Sequence, residues 1–293
     1  MNPQETSSVS AKIGKFKASR MIVAQSWAVL MKDKEVMYFP FLSFIASLIA
    51  LVGFIAVFFF IVMKGNINAF ENTGEMTNNI ITYASMFVYY LIMYLITNYF
   101  LAGVYTIVYA RLNGQDLSFK DGINGANKNF SKIFIWSLIS ATVGVILNVI
   151  ASKSRLGRVI ATIIGAAWNI LTYFSFPALI IGQKSVKESF KESASMIRKT
   201  WGETIIVSFS VSLFFAILVF LGLALAIGIM VLIPLTETFI VVTILLFIYL
   251  IVLTIVASTL STIFKVVLYE YAQNGKIAPG FSPEIVQGAI KAK

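Results

Sequence analysis

Two hydrophobic patterns alternate along the 293-residue chain: long, almost uncharged apolar runs, and shorter stretches where apolar residues recur every three or four positions among charges. Six runs are of the first kind, at about 40–63, 80–110, 132–151, 158–181, 204–233 and 238–272. Each reaches the roughly 20 helical residues that crossing a bilayer requires, so the pattern predicts six transmembrane helices in three hairpins, an all-α fold. The second and sixth runs exceed that length and are expected to tilt or to project beyond the lipid. Pro40 suits the first turn of its helix, where its missing donor would be unpaired anyway. Pro177 falls inside the fourth run, where it removes a backbone hydrogen bond and is expected to kink the span as a hinge. Pro234 closes the fifth run, and Gly275, Pro279, Gly280 and Pro283 break the sixth. The connection over 64–79, rich in Asn and Gly, reads as an exposed loop, and 152–157 as a short one.

The second pattern predicts helices that lie on a membrane instead of crossing it. In the clearest, Val186, Phe190, Ala194, Ile197 and Trp201 are spaced four, four, three and four, with Lys187, Glu188, Lys191, Glu192, Arg198 and Lys199 on the other side. Ser185 followed by Glu188 is a capping-box start. The design recurs with Ser118 and Asp121 opening a segment whose apolar positions are Phe119, Ile123, Ala126, Phe130 and Phe134. A looser version has Ile13, Phe16, Val23, Trp27 and Leu30. Each pair of spans is thus expected to follow one basic surface helix, within a domain over 11–275 flanked by a disordered tail at 1–10 and a polar tail at 276–293.

Composition agrees with this reading: 58% of residues are apolar, 12% are charged and mean hydropathy is +0.86, outside the soluble globular range. The net charge of +10 would suggest nucleic acid in a soluble protein, but here it accompanies basic loops that face anionic lipid, and no nucleic-acid partner is expected. Lys and Arg number 18 in the segments on the side of both termini and 4 on the other, with Lys265 inside the sixth run. That asymmetry predicts cytoplasmic termini in the cell membrane and puts all three surface helices on the inner leaflet. The first twenty residues are polar and basic, so a cleaved signal peptide is not expected.

Catalytic parts are missing. There is no Cys and no His, which removes thiolate and imidazole nucleophiles, bases and metal ligands. The spans hold no Asp for an intramembrane aspartyl protease, and no GxxxxGK[ST] loop is present for ATP. The expectation is a non-enzymatic protein with no catalytic residue, metal or cofactor.

Polar residues at mid-depth carry the remaining signal, because intramembrane polarity is expensive. Asn98 and Asn169 fall near the middle of the second and fourth spans. Thr254, Ser258, Ser261 and Lys265 follow at steps of four, three and four on one face of the sixth. These side chains either line a polar cavity or cross-link helices by hydrogen bonds worth about 0.6 kcal/mol each; Lys265 also suits a snorkelling anchor. Tyr83, Tyr90, Tyr94, Tyr105 and Tyr109 share a broad face of the second span, for packing or for a cavity. Small residues on the third span, from Ser137 and Ser140 to Gly144, and on the fifth, Ser208 and Ser212, permit close helix contact.

Trp27, Leu30, Asp33, Phe39, Pro40 and Ser43 form one local pattern, and Trp168, Phe174 and Pro177, followed by Ser193 and the run 199–203, form another. On these residues the chain resembles an uncharacterised family of prokaryotic six-span membrane proteins, a domain of unknown function, over roughly 16–275. More distantly its architecture is similar to the membrane domain fused to some glycerophosphodiester phosphodiesterases, whose catalytic domain is not expected here. The resemblance implies a topology and no mechanism. Two functions stay open. One is a module that handles or organises membrane lipids, anionic ones included, or other membrane proteins, with Lys187, Lys191, Arg198 and Lys199 as headgroup contacts. The other is a small-solute transporter or facilitator using Asn98, Asn169 and Thr254.

Overall fold

The structure, a computed structural model, describes residues 15–64, 75–199, 203–283 and 286, without the side chains of 15–19, 61–64, 75–79, 199 and 203–211. The expected tail over 1–10, the centre of the first loop and nearly all of 284–293 lie outside the described residues, as do Ile13, Trp201 and the side chains of Phe16, Lys199 and Ser208. Among the described residues there are ten α-helices and no strand: α1 (Lys15–Lys32), α2 (Tyr38–Lys64), α3 (Glu75–Leu112), α4 (Phe119–Lys128), α5 (Phe130–Lys153), α6 (Arg155–Leu171), α7 (Ser175–Ile180), α8 (Val186–Lys199), α9 (Glu203–Leu232) and α10 (Thr236–Asn274). Among the described residues six stretches are long and apolar enough to cross a membrane, and each overlaps one of the six expected runs, the fourth formed by α6 and α7 together. A shorter helix stands ahead of each pair of spans, α1, α4 and α8 in turn.

The chain divides into two compact units. The first comprises 38–107 and 117–193. Here α5 and α6 pack side by side as a hairpin with almost no loop. The expected connection over 152–157 shrinks to Ser154, because its hydroxyl accepts from Gly157 N at 2.9 Å and so starts α6 at once. Pro40 does fall in the first turn of α2. Beside it the Phe39 ring, fully buried, stacks on Phe119 at 4.6 Å and presses on Gly103 and Gly122. A Cβ at Gly122 would come within 2.5 Å of that ring, so only glycine lets α4 approach it. Higher up, α2 meets α3 through Phe54 and Tyr89, ring centroids 5.1 Å apart.

The fourth span is not one kinked helix. It stops at Leu171, passes through a tight turn over 172–174, and resumes as α7 with Pro177 in its first turn. The interruption lies upstream of the proline because Pro177 has no N–H for the Tyr173 carbonyl, and its ring clashes with that carbonyl. The chain turns instead through bonds of one residue less, Tyr173 N to Ile170 O and Ser175 N to Thr172 O, at 3.1 and 3.0 Å.

The second unit comprises 1–37, 108–116 and 194–293. Its hairpin, α9 and α10, turns at Pro234, and α1 packs on both helices. The face that α1 buries matches the expected one only in part: Leu30 of the expected stripe is buried together with Ile22, Ser26 and Val29, while Trp27 is 43% exposed and Val23 half-buried. The expected stripe drifted because it was fitted to large residues, and the packed face accepts the small Ser26 where helices approach closely. The 39 residues of α10 extend about 58 Å at 1.5 Å per residue, nearly twice the hydrocarbon thickness. The excess is absorbed at its C-terminal end, where Thr259, Ile263, Val267 and Glu270 are buried in protein. Gly275, at φ 66°, adopts the left-handed cap that ends the helix.

Candidate functional site

Helix α8 begins as its sequence dictates. Ser185 N and Oγ donate to Glu188 Oε2 at 2.9 and 2.7 Å, and Glu188 N donates back to Ser185 Oγ at 3.3 Å. These bonds hold the Glu188 carboxyl below its usual range, the Ser185 side chain contributing most. The same box starts α4, where Ser118 Oγ and N donate to Asp121 Oδ2 at 2.6 and 3.0 Å and lower the Asp121 carboxyl in the same way.

The two sides of α8 differ in chemistry. Lys187, Lys191 and Arg198 are exposed, whereas Ser189, Ser193, Met196 and Ile197 are buried and Phe190 is half-buried. The most buried line therefore passes through serines, beside the expected apolar stripe. Phe190 enters an aromatic ladder, 4.9 Å from Trp136 on α5 and 5.6 Å from Trp168 on α6, and Trp136 continues to Phe176 and Tyr105. Ser193, with no exposure, accepts from Phe174 N at 3.0 Å and donates to Leu171 O at 2.6 Å. On α4 the buried line is Gly122 and Ala126, continued by Asn129 and Ile133, while Phe130 and Phe134 of the expected stripe are 45% and 40% exposed. Asn129 interrupts α4 and α5 and so rotates the later positions off the α4 face.

The mid-depth polar residues are divided between the two compact units. Asn98 is buried, and its amide donates to Ser137 Oγ on α5 at 3.1 Å, which is a helix cross-link. Asn169 is exposed, near the C-terminal end of α6. Thr254, Ser258 and Ser261 are exposed, and the Thr254 hydroxyl donates to Leu250 O of its own helix at 2.7 Å. Lys265 is half-buried and stands 29 residues beyond Thr236, about 44 Å along α10 at 1.5 Å per residue. None of the six lines the cavity of about 380 Å³ between α9 and α10, whose walls are apolar except for the Tyr249 hydroxyl, and that hydroxyl donates to Leu218 O at 2.8 Å.

A polar cluster missing from the sequence reading lies in the second unit. Asp33, 7% exposed, accepts from Arg111 at 2.9 Å, and Arg111 also pairs with the exposed Asp116. Nearby in the fold of this unit, Lys276 donates to Asn113 Oδ1 at 3.2 Å and Asn274 to the buried Glu270 at 3.0 Å. The only sequence signal was Asp33 itself, an acid beside a predicted span, with nothing to name a partner 78 positions away. Among the described residues no group of three or more potential metal ligands occurs.

Comparison with the curated proteins finds no match, so the distant resemblance to phosphodiesterase membrane domains gains no named relative. The model of a family of unknown function, DUF6159, matches residues 80–280, from the second span to the tail after the sixth, and the chain belongs to that family.

Proposed function

We propose that the protein is a non-enzymatic membrane module that binds anionic headgroups of the cytoplasmic leaflet and organises lipids or membrane proteins there. The observation that carries this reading is the division of α8, with Lys187, Lys191 and Arg198 exposed and the opposite side buried in protein. Each cation near such a surface contributes about 1 kcal/mol of attraction. Lys120 and Lys128, both exposed on α4, extend the same surface chemistry. The excess of basic residues on the side of the termini supports cytoplasmic ends in the cell membrane.

The test is hydrogen exchange on the full chain reconstituted into vesicles of phosphatidylcholine alone or mixed with phosphatidylglycerol. Protection over 185–198 is expected to be higher with phosphatidylglycerol, and the difference is expected to disappear in K187Q/K191Q/R198Q. Equal protection in both vesicles would end the lipid reading.

A further inference from the structure

A break within a membrane span frees backbone groups that lipid cannot satisfy. In the fourth span two of these, the Leu171 carbonyl and the Phe174 N–H, are answered by one hydroxyl on another helix, Ser193 Oγ. Its two bonds sit on α8 two residues after the exposed Lys191 and six after the exposed Lys187. Pro177 removes the fallback, since with no N–H at that position the span cannot close over the gap by becoming continuous helix. The connection between α7 and α8 is itself held by side-chain hydrogen bonds. Gln183 stands at φ 52°, unusual for a residue with a side chain, and is kept there by donating to Ile180 O at 2.5 Å and accepting from Lys132 Nζ at 3.1 Å.

We propose that Ser193 is a latch: through it, the headgroup-binding helix α8 holds the fourth span in its broken form, so that anionic lipid on Lys187 and Lys191 sets how often the break at 172–174 opens. This rests on the lipid reading of α8. The distances make the latch sensitive, because a shift of α8 by about 1 Å carries both bonds beyond the hydrogen-bonding range. Lipid that pins α8 against the membrane keeps Ser193 on Leu171 and Phe174, and neutral lipid leaves α8 freer to lift.

The experiment follows amide exchange at Phe174 and over 185–193 in the full chain, in phosphatidylcholine vesicles with and without phosphatidylglycerol. In the unaltered protein, phosphatidylglycerol is expected to slow exchange at Phe174 by about tenfold, within reach of two cations at an anionic surface. In Ser193→Ala, Phe174 is expected to exchange fast in both vesicles while 185–193 still responds to phosphatidylglycerol. In K187Q/K191Q, which alters only exposed side chains and keeps the test open if Ser193→Ala does not fold, the lipid dependence at Phe174 is expected to vanish. If 185–193 responds to phosphatidylglycerol and Phe174 does not, the latch is overturned and the lipid reading stands. If 185–193 itself does not respond, the lipid reading falls and takes the latch with it.

Discussion

The fourth and sixth spans both carry polar groups, and they satisfy them in opposite ways. In α10 the hydroxyls bond their own helix, Thr254 to Leu250 O, Thr259 to Ile255 O and Thr262 to Ser258 O, at 2.7 to 2.8 Å, and the helix continues unbroken for 39 residues. In the fourth span the ladder itself is interrupted, and the freed groups depend on Ser193, 19 and 22 positions away. A hydroxyl that back-bonds to its own turn needs no neighbour, whereas a broken ladder needs one at a defined place. Polarity inside a span therefore demands tertiary structure only when it is backbone polarity.

The substitution that breaks this contrast most strongly is Ser193→Ala. It leaves the buried Phe174 N–H and the part-buried Leu171 carbonyl unsatisfied, at about 1–3 kcal/mol each, so a loss of roughly 2–6 kcal/mol is expected in reversible unfolding in mixed micelles. A loss below about 1 kcal/mol would mean that the break finds other partners and that the two spans do not differ as described.

Pro177→Ala is expected to act more weakly, by roughly 0.4–1 kcal/mol through freedom regained in the unfolded chain. Protection at Phe174 should persist, since Ser193 still holds it. Protection at Phe174 that survives Ser193→Ala in this background would assign the break to the proline alone.

Thr254→Val removes a bond that α10 does not rely on and is expected to change stability by no more than about 0.6 kcal/mol in the same assay. A loss as large as that of Ser193→Ala would erase the distinction between the spans.

The smallest effect belongs to the caps that start α4 and α8. Asp121 and Glu188 ionise more readily in the folded chain than at their ordinary values of 3.8 and 4.5, so their contribution is complete above those values and is lost as pH falls through the lower folded ones. Exchange at 118–121 and 185–188 should therefore stay slow at neutral pH, after correction for intrinsic rates, and accelerate only below about pH 4. Ser118→Ala and Ser185→Ala should raise that threshold.

Much of the architecture was legible before any coordinates. The six spans, the helix starts at Ser118 and Ser185, Pro40 in a first turn and the stop at Gly275 all depend on residues within one turn or one bilayer thickness of each other. The candidate site was legible in part. The exposed cations Lys187, Lys191 and Arg198 follow from helical spacing, and Trp168, Phe174, Pro177 and Ser193 had already been grouped, without a reason for the grouping. The reason is spatial: Trp168 and Phe190 stack, and Ser193 closes the gap that Pro177 imposes.

Hydropathy and capping are local properties, which is why the linear order of residues determined where helices run and where they stop. Which side of α1 is buried, which arginine meets Asp33, and which hydroxyl meets Leu171 and Phe174 were decided only by packing. A small buried serine and a large exposed tryptophan read the same way in a hydrophobic pattern until a neighbouring helix chooses between them.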